Sequence, residues 1–118
     1  MRKFRSLIFI TFLISYSTYA DFEGGINALG RFQYDLALAA FMPEAKQGNP
    51  IAQNFVAHTY REMQNYTHAY AWYHLNKHCN DSIDAKIELK IVELKMSKAA
   101  IETAITIGNN LYHRLCKQ

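Results

Sequence analysis

The segment HTYREMQNYTHAYAWYHLNKHC, residues 58 to 79, holds four of the chain's five histidines and ends on Cys79. His74 and His78 are four residues apart, the spacing that places two ligands on one face of a helix for a single metal ion. A metal centre also needs a third and a fourth ligand with outer support. Asp81 is the nearest carboxylate, and nothing in the sequence fixes it against the two imidazoles. On a helix the pair projects opposite Ala69, Trp72 and Tyr73, so both are read as solvent-facing surface histidines, with no metal and no cofactor implied. His58 and His68 fall on different helices and faces, and the same reading holds for them. Cys116 follows His113 by three residues, a spacing at which a cysteine nucleophile can meet its base, but only as a free thiol. Trp72 and Tyr73 have the chemistry to stack on a ligand, yet they sit where helix packing would use them.

The compartment bears on that thiol. Arg2, Lys3 and Arg5 precede the apolar run LIFITFLI, and a polar stretch then leads to Ala20. This three-part pattern predicts a secretory signal over residues 1–20, cleaved to leave a mature chain starting at Asp21. A retained anchor is the alternative. The apolar run is well short of the ~20 residues that a spanning helix needs, so no transmembrane segment is expected in the mature chain. Export, to the periplasm or beyond the cell, meets oxidising conditions. There an even pair of cysteines, Cys79 and Cys116, reads as a disulfide.

Charge narrows the partners. Three of the 13 Lys and Arg lie in the signal, leaving ten against ten Asp and Glu. A near-neutral mature chain lacks the basic footprint of a nucleic-acid binder. No Gly-x-Ser-x-Gly, His-Glu-x-x-His or phosphate-cradling glycine loop is present, so no catalytic residue is assigned.

The elements that position these side chains come from an internal repeat. QYDLALAAF (33–41) aligns with NYTHAYAWY (65–73) at an offset of 32, matching Tyr34 to Tyr66, Ala37 to Ala69, Ala39 to Ala71 and Phe41 to Tyr73. Tyr, then Ala three on, then an aromatic seven on, lie along one helical face. Two helices with one packing code predict a stacked array of helix pairs. Gly48-Asn49-Pro50 supplies a C-cap, an N-cap and a first helical residue. The helix that follows, from 50 to about 63, has Ala52, Val56, Thr59, Tyr60 and Met63 on its apolar face. Pro43 predicts a bend near the end of the helix before it. In IDAKIELKIVELKM (83–96), Ile83, Ile87, Ile91 and Leu94 share one face and Ala85, Leu89, Val92 and Met96 the opposite one, as in a helix sandwiched between two neighbours. Ser97 caps a final helix with Ile101, Ala104, Ile105, Gly108, Leu111, Tyr112 and Leu115 along one side. The fold class is therefore all-α: a short α/α solenoid of about five to six helices in stacked antiparallel pairs, repeat-like over 33–79, with C-terminal helices over 82–116 and a capping helix at the end.

AQNFVAHTY followed by NYTHAYAWYHL resembles the Sel-one-like repeat, a branch of the tetratricopeptide superfamily. The resemblance rests on Ala52, Gln53, Val56, Ala57, Tyr60, Asn65, Tyr66, Ala69, Trp72 and Tyr73. FMPEAKQGN resembles the end of a preceding repeat, and LKMSKAAIETAITIG is similar to the helix that closes such arrays. The sequence departs from that pattern in a shorter Arg61-Glu62-Met63-Gln64 turn, and in Asn76-Lys77 where two alanines are usual. The resemblance implies an adaptor that binds other proteins.

Two function classes follow. The first is a non-enzymatic interaction module that holds a protein or peptide on the helix from Pro50 to Met63. There Asn54, His58 and Arg61 project away from Val56 and Tyr60, free to meet a partner. The second is a small exported metal binder or hydrolase-like enzyme using the histidine-rich helix and a free cysteine.

Overall fold

The computed structural model of the chain describes residues 21–116, so the predicted signal segment lies outside the described residues. Six helical segments and no strand occur among them: α1 (21–30), α2 (Tyr34–Lys46), α3 (Pro50–Glu62), α4 (Tyr66–Asn80), α5 (Ile83–Glu93) and α6 (Lys98–Leu115). Sequence neighbours α2, α3, α4 and α5 pack pairwise in order, and α6 lies back on α4. This is the expected short helical solenoid.

The connections are set by local chemistry. Gly48 turns the chain at φ +93°. Asn49 then caps α3 by accepting from the amides of Ile51 and Ala52, ahead of Pro50 at a position where a missing N–H does no harm. Asn65, Ser82 and Ser97 cap α4, α5 and α6 in the same way, each accepting from the amide three residues on. Gln64 and Asp81 take the left-handed conformation that reverses the chain, at φ 62° and 52°. In the shortened α3–α4 turn, Gln64 stands in a conformation that glycine adopts more readily. Helix α2 runs through Pro43 to Lys46.

The repeat alignment predicts part of the core: Ala71 is buried but its counterpart Ala39 is exposed. Ala37 and Ala69, and Phe41 and Tyr73, are buried at equivalent places on α2 and α4. Phe22, Phe41 and Phe55 bring α1, α2 and α3 together, with Phe41 stacked on Phe55 at 4.9 Å and Phe22 edge-on to both. Phe41 is fully buried, worth about 1.5–3 kcal/mol in transfer terms. Helix α4 is buried on most sides, at Ala69, Tyr70, Ala71, Trp72, Tyr73 and Leu75, because α3, α5 and α6 all pack on it. Trp72 and Tyr73 are therefore core side chains.

Two expectations are corrected. Helix α5 is not sandwiched: Ala85, Leu89 and Val92 are buried, whereas Ile83, Ile87, Ile91 and Leu94 are exposed. The reason lies on α6, which uses its Ala104, Gly108 and Leu111 face against α4 rather than covering α5. His74 is half-buried rather than fully solvent-facing. A Cβ on Gly108 would lie 2.8 Å from His74 Cδ2 and 3.1 Å from the Ala71 carbonyl oxygen. The bare glycine thus lets α6 settle over this part of α4, where His74 Nε2 meets Asn109 Oδ1 at 3.0 Å.

Candidate functional site

Helix α3 presents its outward side between α1 and α5. Its buried stripe is Ala52, Gln53, Val56, Ala57 and Thr59, so Ile51, Asn54, Phe55, His58 and Arg61 are left toward the surface. Between α3 and α5, Ile51, Asn54, Phe55 and His58 meet Asp84, Ile87 and Glu88 around a groove of about 420 Å³, with Tyr73 of α4 at its floor. A second hollow of about 380 Å³ opens on the other side of α3, where Ile26, Leu29, Phe32 and Tyr34 face His58 and Glu62. His58 borders both.

The expected site residues divide here. His58 Nδ1 lies 2.8 Å from Arg61 Nη2. A guanidinium only donates, so Nδ1 is the accepting nitrogen of a neutral imidazole, and Nε2 carries the proton toward Glu62 Oε1 at 3.9 Å. Arg61 is not free. Its Nη1 donates to Glu88 of α5, and its Nη2 lies 3.6 Å from Glu62. Asn54 is also engaged, its Oδ1 accepting from Asn76 Nδ2 at 2.6 Å. Both were expected to be free because helical spacing locates a face without showing what a neighbouring helix brings to it. Of the three, His58 is the one that opens onto both hollows. Sequence reasoning missed Ile51, Phe55, Asp84 and Ile87. Ile51 and Phe55 are four apart and off the buried stripe, and that spacing was the available signal.

Burial, with the Arg61 charge second, lowers the affinity of His58 for a proton below the ordinary 6.5, against the smaller pull of Glu62 and Glu88. Burial and the neighbouring His74 and Lys77 lower His78 likewise. For a histidine with a depressed folded pKa, the unfolded chain binds more protons in the window just below 6.5. That stability is present above 6.5 and is lost as pH falls through the folded value. The melting temperature should therefore decline between pH 7.5 and 5.5, and less steeply after His58→Gln. An NMR titration of the His58 ring with a midpoint at or above 6.5 would contradict this account.

The chemistry elsewhere is sparse. Among the described residues no three His, Cys, Asp or Glu side chains gather as a metal site. Cys79 and Cys116 are joined as a disulfide with a Cα–Cα distance of 5.8 Å, inside the normal range, as expected for this pair from the sequence. No free cysteine is left among the described residues, so the thiol that a hydrolase reading requires is already bonded. No described helix is long and apolar enough to cross a membrane. Comparison with protein-family models, with curated proteins and with solved structures gives no match.

Proposed function

We propose that this chain is an exported, non-enzymatic interaction module that holds a protein or peptide on the surface of α3, in the manner of the Sel-one-like repeats its sequence resembles. The observation that carries the reading is the groove between α3 and α5. Exposed Ile51 and Ile87 flank it, half-buried Phe55 lines it, and His58 and Asp84 stand at its edge as polar contacts. Apolar walls with a few placed polar groups are what a binding site needs. The basic, apolar leader and the disulfide support export to the periplasm or outside the cell.

A photo-crosslinking residue at position 51, with a control at exposed Glu102 on α6, tests the reading in the exporting cell. One partner should crosslink from position 51 and not from 102. Its affinity for the purified chain should fall about tenfold or more in Ile51→Asp/His58→Ala, since the variant puts a charge on an apolar wall and removes a polar contact together. The same variant should melt within about 1 kcal/mol of wild type, because both side chains reach the surface. Equal capture from both positions, or an unchanged affinity, would reject the assignment.

A further inference from the structure

Helix α5 carries an apolar crest that no other described residue buries. Ile83, Ile87, Ile91 and Leu94 are 71%, 53%, 45% and 86% exposed and recur at successive turns. They form a stripe about 16 Å long at 1.5 Å per residue. An extended peptide laid on this crest would bury its own amides against side chains without acceptors, whereas a helix satisfies its backbone internally. The occupant is therefore a helix with an apolar stripe of its own.

Charge identifies which helix. Asp84 and Lys95 stand at opposite ends of the stripe, on the flank that faces α3. Asp84 borders the groove with Phe55, and Lys95 lies beside Arg61 and Gln64. Neither side chain makes an ion pair or hydrogen bond among the described residues. A covering helix that offers a cation at the Asp84 end and an anion at the Lys95 end is favoured over one that does not. An antiparallel α5 does so. A two-fold axis across the crest sets Ile87 against Ile91 of the copy and Ile83 near its Leu94. Because a two-fold antiparallel pair places like flanks together, Asp84 meets Lys95 of the copy twice. On the other flank Lys86 is paired with Asp81 and Glu93 accepts from Tyr70, so only the Asp84 and Lys95 flank offers free charges, and Lys90, next to the axis, is exposed and long enough to extend into water.

We infer that α5 is a homodimer interface, and that the covering helix is α5 of a second copy of this chain. The crest is smaller than the ~800 Å² per partner of a standard interface, so the dimer is weak, with a Kd on the order of micromolar or above. Asp84 and Ile87 also line the groove between α3 and α5, so the dimer covers one edge of the surface proposed above for a partner.

Sedimentation equilibrium of the full chain, oxidised and in the form the host exports, tests this from about 10 to 500 µM, a range that spans such an affinity. Wild type should pass from monomer to dimer. Ile87→Glu should hold it monomeric, and far-UV circular dichroism should show the variant folded. Asp84→Lys alone would set Lys against Lys, and Lys95→Asp alone Asp against Asp. Each should raise the Kd by about fivefold or more at low salt, and the double exchange should restore it to within about threefold. A chain monomeric throughout overturns the inference. So does a dimer indifferent to Ile87→Glu, or a double exchange no better than the single ones.

Discussion

Replacing Cys79 and Cys116 together by serine should lower stability by about 3–4 kcal/mol, the chain-entropy value for a bond between residues 37 apart. In a domain of this size that is a fall in Tm of roughly 12–30 °C, and a large share of the ~5–15 kcal/mol that holds such a domain folded. The bond joins the penultimate residue of α4 to the C-cap of α6, so it closes one end of the interface that Gly108 opens to close packing. Without it, α6 rests on Ala104, Gly108 and Leu111 and on the His74–Asn109 hydrogen bond. Its last turn, with half-buried Tyr112 and Leu115, should fray first. Hydrogen exchange should therefore speed up most toward the end of α6, and wild type treated with reductant should melt with the double variant. Because α6 lies on α4 and away from the α3 surface, the binding proposed for that surface should persist well below the new Tm. A double variant melting within a few degrees of wild type would show that the staple adds little.

The parts of the fold that were legible in the sequence are those set by local rules. Gly48-Asn49-Pro50 and Ser97 announce their turn and cap because orphan amides have few possible partners. The Tyr, Ala, aromatic code locates α2 and α4 because small residues must face a close neighbour. What escaped depends on which helix sits where. Apolar residues on two sides of α5 imply two neighbours only if both are supplied by the same chain, and here one side is open. His74 is opposite Trp72 on the helix, so periodicity assigns it to water, while a glycine on a distant helix brings cover to it. The candidate site shows the same division: His58 is placed as its spacing suggests, but Arg61 and Asn54 are held by Glu88 and Asn76 from other helices. Asn76 escaped because a polar residue reads as surface, although it lies one turn beyond buried Trp72 on the same face.

Asn76 is where the largest effect of a single substitution is expected. It is fully buried on α4, and its one amide is used on both sides. Nδ2 donates to the Pro50 carbonyl at 3.2 Å and to Asn54 Oδ1 at 2.6 Å, while Oδ1 accepts from Asn80 Nδ2 at 2.7 Å. Asn80 also donates to Gln53 Oε1, and Gln53 Nε2 donates to the Ala45 carbonyl, so one polar chain ties α2, α3 and α4 together. Among the described residues no buried side-chain nitrogen or oxygen lacks a partner. Asn76→Leu keeps the volume and removes the amide, leaving Asn54 and Asn80 short of partners, and should cost about 1–3 kcal/mol. It also releases Asn54, which lines the groove, so it should change the affinity for the proposed partner although Asn76 itself is not in the lining. Asn76→Asp is the sharper case. An ionised carboxylate has no donor, and would face the Pro50 carbonyl and Asn54 Oδ1 with a buried negative charge, at a loss of at least about 3 kcal/mol at pH 7. The site then favours the protonated acid, whose O–H can donate again, so its folded pKa rises above the ordinary ~3.9. Here the folded state binds the extra proton, and the missing stability returns as pH falls toward and below the raised value. Compared with wild type at each pH, the deficit of Asn76→Asp should shrink on acidification from 7 to 5, while the histidines make wild type itself less stable. Urea melts at several pH values measure that difference directly. A deficit that stays constant across the range, or one under about 1 kcal/mol at pH 7, would mean that water reaches this amide and that the chain from Ala45 to Pro50 does not hold the three helices together.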